Sequence, residues 1–335
     1  MRSFSVSLRR SIRLRVLSVA AGALATVVSM ATPSDAGTVT FGSNGNEFSM
    51  EFVTIGNPGN SANTTVSSTA GSVGYNYDIG KFEVSQDMIT KFNASQSLQI
   101  TQDSRFETSP ATSVSWNEAA RFVNWLNTST GNQEAYKFTN NGVNDDIDLW
   151  TALDTLDYDA ANPYRSKRAK YVLPSYNEWY KAAYYDPINS QYYLYPTGSD
   201  TAPTAVASGT DAGTAVYLMS YLQYPADVDQ AGGLSPYGVM GLGGNAYEWD
   251  ESSDDLANSS GDSFRGLNGG SWYSASTSDL SWSRYNDYPS NGFSPNVGFR
   301  VASLSSDAAV PEPSMMVIGT LLGLGGLIGK RRIKR

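Results

Sequence analysis

Regular periodicity is scarce between residues 37 and 304, and this limits the fold more than any other feature of the chain. Only three short stretches carry a helical pattern. Ser115 with Glu118 three residues on makes a capping box, in which each residue satisfies an amide the helix start leaves open. Ala119, Phe122, Val123 and Leu126 follow on one apolar face. Ser175 and Glu178 repeat the box after Leu173-Pro174, with Trp179, Ala182 and Ala183 as the buried stripe and Asp186-Pro187 as the stop. A weaker helix begins near Ser85 and carries Met88, Ile89 and Phe92. Elsewhere short apolar runs alternate with Gly, Ser, Thr, Asn, Asp and Tyr, and no repeat or heptad emerges. Such a chain predicts a loop-heavy α+β domain whose side chains satisfy many of the backbone groups.

The two ends do not belong to that domain. Arg2, Arg9, Arg10, Arg13 and Arg15 precede an apolar run over residues 16–31, and Ser34-Asp35-Ala36 presents small residues to a signal peptidase. Residues 1–36 therefore read as a secretory signal, and the run is shorter than the roughly 20 residues a bilayer span needs. At the other end, Val310-Pro311-Glu312-Pro313-Ser314 leads into an apolar stretch over residues 315–329, and Lys330-Arg331-Arg332-Ile333-Lys334-Arg335 closes the chain. The basic cluster belongs on the cytoplasmic side of a membrane, and the short apolar stretch suits a transient anchor. This arrangement resembles the PEP-CTERM sorting signal, which implies recognition by an exosortase-type sorting enzyme. The expected division is a signal peptide over 1–36, one domain over 37–304, and a linker with sorting anchor over 305–335.

Five basic residues at each end and two acidic ones, Asp35 and Glu312, lie outside residues 37–309. That leaves 13 basic against 30 acidic residues, a net charge of −17. An acidic surface repels phosphate backbones, so nucleic acid is not an expected partner. It suits an exported protein and oxygen-rich cation sites.

The chain contains neither cysteine nor histidine. Disulfides, thiolate nucleophiles, Ser-His-Asp triads and zinc sites built on His or Cys are therefore excluded. Its core must stand without staples, and roughly 270 residues suffice for that.

Motifs along the domain recur in a telling order. Glu51-Phe52-Val53-Thr54-Ile55-Gly56 is followed by Ile79-Gly80-Lys81-Phe82-Glu83-Val84-Ser85, then by Val114-Ser115-Trp116-Asn117-Glu118-Ala119. Leu173-Pro174-Ser175-Tyr176-Asn177-Glu178-Trp179, Ser235-Pro236-Tyr237-Gly238 and Gly243-Gly244-Asn245-Ala246-Tyr247-Glu248-Trp249 come next. Arg265-Gly266, Gly269-Gly270-Ser271-Trp272 and Val297-Gly298-Phe299-Arg300 end the series. The order resembles the formylglycine-generating enzyme family, the sulfatase-modifying factor domain, over about residues 51–303. The resemblance implies a single domain of C-type-lectin-like architecture.

On the residues themselves, Trp116, Trp179, Trp249 and Trp272 read as core anchors, and Arg300 as a buried structural fork. The family resemblance implies a calcium ion on Glu248, with backbone carbonyls at Gly241, Gly244 and Ala246, and a second cation site near Asp227 or Asp229. Gly241 departs from the Asn side chain that the family can place there. Alternatively, Glu248 accepts hydrogen bonds from loop amides. The family's groove maps onto Asn245, Ser271, Ser274 and Asn296, with Tyr247 in place of a Trp.

The oxidases of the family hold copper(I) on two cysteines, whose positions fall here at Ser274 and, approximately, Asp279. Hard oxygen ligands do not replace soft thiolates around copper(I), so no copper is expected. The iron of a related branch needs a histidine that this chain lacks. Three readings follow. The first is a non-catalytic surface module binding a peptide or a glycan. The second is an enzyme of unfamiliar chemistry using the carboxylates of Glu248, Asp250 and Glu251. The third is a structural matrix protein.

Overall fold

The computed structural model describes residues 35–304 except 141 and 293. The segments expected to be a secretory signal, up to residue 34, and a sorting anchor, over 305–335, lie outside the described residues. In chain order the strands are β1 (Asp35–Phe41), β2 (Phe48–Ile55), β3 (Tyr77–Gly80), β4 (Tyr171–Val172), β5 (Tyr185–Asp186), β6 (Gln191–Tyr192), β7 (Thr204–Ala205), β8 (Thr214–Ala215), β9 (Tyr247–Ser253), β10 (Arg265–Asn268), β11 (Arg284–Asp287), β12 (Val297–Gly298) and β13 (Ala302–Leu304). Helices α1 (Gln86–Ser95), α2 (Trp116–Ser129) and α3 (Tyr176–Tyr184) complete the framework.

Each helix begins where the local sequence predicts. The Ser85 hydroxyl accepts from Met88 N at the start of α1. Reciprocal capping boxes join Ser115 to Glu118 and Ser175 to Glu178. Such caps close donors that would otherwise be stranded, and losing one costs about 1 kcal/mol.

Two sheets organise the rest. One runs β1-β2-β3-β13-β4 and is antiparallel throughout. The other runs β11-β10-β9-β12, with β12 parallel to β9. The last described strand thus inserts between β3 and β4, and the stretch just before it lies beside β9. This long-range closure carries Arg300 into the middle of the molecule. Pairing between β1 and β2 continues from Gly37 to Phe41, so a cut after Ala36 would leave that ladder in place.

Aromatic residues fill the space between α2 and the five-stranded sheet. Phe122 stands edge-on to Phe299 at 5.6 Å, and Phe92 lies 5.5 Å from Phe122. Phe41 meets Tyr171 edge-on at 5.0 Å. Rings packed this way contribute about 0.5–1.5 kcal/mol beyond the area they bury, and truncating a buried Phe to Ala costs about 3–5 kcal/mol. Trp116, Trp179, Trp249 and Trp272 are all fully buried, as core anchors should be.

Buried amides do for the loops what ladders do for strands. Asn127 on α2 accepts from the amides of Lys170 and Tyr171 and donates to the Tyr171 carbonyl. Asn124 likewise accepts from Ala135 and Tyr136 and donates to the Tyr136 carbonyl. Segments that lack regular pairing therefore still meet their backbone requirements. No helix among the described residues is long and apolar enough to cross a membrane.

Candidate functional site

Strand β9 carries the acidic residues singled out in the sequence. Its side chains alternate between two faces, and every one from Glu248 to Ser253 is buried. Glu248 lies under the guanidinium of Arg300, which donates from Nε at 2.6 Å and from Nη2 at 2.5 Å. The indole of Trp179 donates to the same carboxylate at 2.7 Å. Arg300 spends its remaining donors on the carbonyls of Gly80 and Met240 at 2.9 Å each. This is the buried fork the sequence suggested, with Glu248 as its counter-ion rather than an acceptor of loop amides.

That pairing corrects the calcium expectation at Glu248. Both carboxylate oxygens face a full positive charge, and a divalent cation placed there would meet Arg300 at close range. Among the described residues no group of three or more acidic side chains is arranged to hold a metal ion. Gly241, Gly244 and Ala246 offer backbone carbonyls only, so the side-chain part of the expected site does not fit.

A second carboxylate, which the sequence reading passed over, occupies the space beside them. Glu83 is fully buried next to Gly241, where an added Cβ would come within 3.0 Å of its carboxylate. Gly241 also has φ of +76°, a conformation that favours glycine. Asn245 donates to both Glu83 oxygens at 3.1 and 3.0 Å, and its own Oδ1 accepts from Ala226 N at 2.9 Å. Burial, and then the charge of Glu248, push the Glu83 carboxyl up to about 8, although Arg300 pulls the other way. One arginine thus serves two acids, and at neutral pH one of them keeps its proton. Glu83 stands between the buried apolar residues Ile79 and Val84. A carboxylate set between Phe82 and the buried Val84 was the signal available.

Asn245 is therefore not a groove residue. It is fully buried and joins Glu83 to the Ala226 backbone. The other carboxylates of β9 are equally committed. Asp250 holds Arg284 through two bonds of 2.8 and 2.9 Å and also accepts from Asn268. Glu251 accepts from the Tyr136 hydroxyl and from Asn162, with Arg165 at 3.6 Å. Arg165 in turn binds Glu178 through two bonds of 3.1 and 3.0 Å. Burial pushes the Glu251 carboxyl up to about 7. Glu248, Asp250 and Glu251 thus belong to three separate arginines and do not form a pair for acid-base work.

The remaining predicted residues do come together, with Tyr247 and Asn296 partly exposed and Ser271 and Ser274 buried. The phenol of Tyr247 lies near Ser274 and Asp279, the two positions matched to the oxidase cysteines. Ser274 also accepts from Ser271 N at 3.0 Å, and Asn296 donates to the Ser271 hydroxyl at 3.2 Å. Tyr285, an exposed residue of β11, stands edge-on to Tyr247 at 5.8 Å and donates to Asp279 at 3.1 Å. Burial holds the Tyr247 phenol well above its ordinary pKa, so it stays a donor. Tyr285 is the second residue that sequence reasoning missed, because its strand lies far from the motif it faces. The arrangement is a patch of hydroxyls, one amide and one carboxylate between tyrosine rings. It can exchange hydrogen bonds with a bound solute, and it contains no soft ligand. Asp227 accepts from the Thr108 hydroxyl at 2.6 Å, and Asp229 is exposed.

Solved structures share the architecture. Treponema denticola variable protein 1 superposes with a TM-score of 0.52 at 21% identity, covering 81% of this chain and 99% of its own. CarF gives 0.52 at 19%, covering 76% and 98%. PvdO from Pseudomonas aeruginosa gives 0.46 at 15%, covering 80% and 98%. At these identities the first two likenesses speak for the fold alone. No curated protein matches the chain. The few helices, curled sheets and long loops are those of the α+β, C-type-lectin-like class expected from the motif order. The model of the sulfatase-modifying factor enzyme 1-like domain matches residues 34–304, and the chain belongs to that family.

Proposed function

We propose that this chain is an exported cell-surface or extracellular protein whose sulfatase-modifying-factor-like domain is a binding module and not an oxidase. The observation that carries the reading is the oxygen-only set at the oxidase positions, with Asp279 accepting from Tyr285 at 3.1 Å and Ser274 from Ser271 N at 3.0 Å beside the Tyr247 ring. Where copper(I) chemistry needs two thiolates, this chain offers hydroxyls and a carboxylate. A serine hydroxyl is a hard ligand with a far higher pKa than a thiol, and carboxylate oxygen favours Ca²⁺ or Mg²⁺ over copper(I). The acid-base alternative loses its residues to Arg300, Arg284 and Arg165.

The groove of Tyr247, Ser271, Ser274 and Asn296 is the ligand site, and a glycan or a peptide is its occupant. An exosortase-type enzyme acts on the C-terminal signal, so the chain meets the membrane only transiently. Nucleic acid is not a partner of so acidic a domain.

Two measurements test this. Mass spectrometry of a cysteine-containing sulfatase peptide, incubated with the purified protein, copper and oxygen, is expected to show no loss of sulfur. Copper-dependent turnover above a no-protein control would overturn the non-oxidase reading. Binding to a glycan and peptide array is expected to give at least one ligand that Tyr247→Phe weakens, whereas a matrix protein without a ligand would give none.

A further inference from the structure

The wall of the groove next to Trp272 has three features that the groove itself does not explain. The first is strain. Leu218 sits at φ of +58°, and Tyr224 at φ of +62° with ψ of 166°, a region otherwise almost confined to glycine. The segment between them is fastened to the site, since Leu218 N donates to the Ser274 carbonyl at 3.0 Å and Met219 N to the Trp272 carbonyl at 2.8 Å.

The second feature is what this strained segment presents. Tyr221, Leu222 and Tyr224 are exposed, Leu222 at 76%, and Tyr273 beside them is 40% exposed. Tyr221 lies stacked on the buried Trp272 at 6.3 Å and edge-on to Tyr273 at 5.6 Å. Tyr221, Leu222, Tyr224 and Tyr273 thus form an exposed patch, rich in aromatic rings, beside Trp272.

The third is an unsatisfied donor. Arg105 lies 4.5 Å from the ring centroid of Trp272 and 5.2 Å from that of Tyr224, and its side chain is only 7% exposed. Its Nε pairs with Asp103, and its Nη2 donates to the Pro295 carbonyl at 2.7 Å, next to Asn296. Its Nη1 is buried without a partner. Unpaired N–H groups on a buried charge are rare because they are costly.

We infer that the binding site extends across Trp272 onto this wall and takes an uncharged pyranose segment of a polysaccharide, with an acceptor oxygen on Arg105 and the ring faces on Tyr221 and Tyr273. This rests on the binding-module reading and deepens it. The ligand is uncharged because Asp279 and Asp103 flank the site in a domain of net charge −17, which disfavours an anion, while Arg105 disfavours a cation. A pyranose carries an apolar face and a girdle of hydroxyls that both donate and accept. The site answers with tyrosine faces, donors from Arg105 and Asn296, and an acceptor at the partly exposed Asp279. A peptide recognised by its side chains would need pockets for them. A cavity of about 270 Å³ elsewhere among the described residues shares none of these residues, being lined by Phe92, Arg121, Trp125 and Phe138 among others.

The test is calorimetry of the purified protein with cellohexaose and maltohexaose as neutral probes, an oligogalacturonate of equal length as the anionic probe, and a random decapeptide set. At least one neutral probe is expected to bind, with affinity unchanged between low and high salt. Arg105→Gln is expected to weaken it about tenfold or more. Arg105→Gln also breaks a buried ion pair, so exposed-site variants Tyr273→Ser and Leu222→Ser accompany it, each expected to weaken binding severalfold at unchanged melting temperature. Preference for the oligogalacturonate, lost in salt, would overturn the inference. So would peptide binding in place of a glycan, or loss of affinity in Tyr247→Phe but in none of the wall variants. Either of those last two results leaves the binding module standing. Absence of binding to every probe would overturn both.

Discussion

Replacing Glu248 by Gln keeps the shape of the side chain and removes its charge, so Arg300 stays in place while losing its two-pronged partner. Breaking a buried ion pair from one side costs about 3–5 kcal/mol, because the remaining charge is left uncompensated. Here a second carboxylate stands ready. Glu83 keeps its proton near neutrality because of burial and the charge of Glu248, with Arg300 opposing both. Once residue 248 is neutral, one cause of that raised value is gone and Arg300 pulls against burial alone. Glu83 then ionises and takes over as counter-ion. The single variant is therefore expected at the lower end, about 3 kcal/mol, which is roughly 6–12 °C in melting temperature for a domain of this size. Glu83→Gln alone is expected to be nearly neutral at pH 7. The double variant leaves Arg300 with no anion at all. Its cost should exceed the sum of the singles by about 1–3 kcal/mol, the range found for residues that share one network. Urea unfolding of the four proteins, followed by tryptophan fluorescence, measures the cycle. Additivity within about 0.5 kcal/mol would refute the shared-arginine argument, and so would a Glu248→Gln cost below about 1 kcal/mol.

Stability should also depend on pH with a defined sign. The folded value of Glu83, about 8, lies above its ordinary 4.5, so the folded state binds this proton more tightly. Its contribution is complete below about 4.5 and is lost as pH rises through about 8. Glu251 acts in the same direction, its contribution lost as pH rises through about 7. Melting curves of the wild type should therefore fall over this window more steeply than those of Glu83→Gln; parallel curves would contradict the assignment. Glu248→Gln should lower the melting temperature equally in calcium and in chelator, whereas a stabilisation by calcium that this variant abolishes would return Glu248 to a metal site. Intact-mass measurement of surface-released protein should find a start near Gly37 and no residues 315–335, and retention of the terminal basic cluster would refute the sorting reading.

Local sequence determined what local hydrogen bonds decide. Ser115 and Glu118, like Ser175 and Glu178, are three residues apart, and their capping geometry is complete within one turn. The absence of cysteine and histidine excluded thiolate and imidazole chemistry outright. The order of the glycine, tryptophan and arginine motifs was enough for the family and fold class.

Only the tertiary structure decided which charges meet. Glu248 and Arg300 are 52 residues apart and Glu83 and Asn245 162 apart, and their pairing depends on β13 entering between β3 and β4 while β12 lies beside β9. A strand pattern assigns a side chain to a face but does not name its partner. Glu248, Asp250 and Glu251 therefore read as a cluster in the sequence and are three separate ion pairs in space. The same limit hid Tyr285 and Arg105, whose roles come from chain segments brought to Tyr247 and Trp272 by folding. Burial is what turns such a meeting into a constraint, because a charge or donor removed from water must find its partner wherever the fold has placed one.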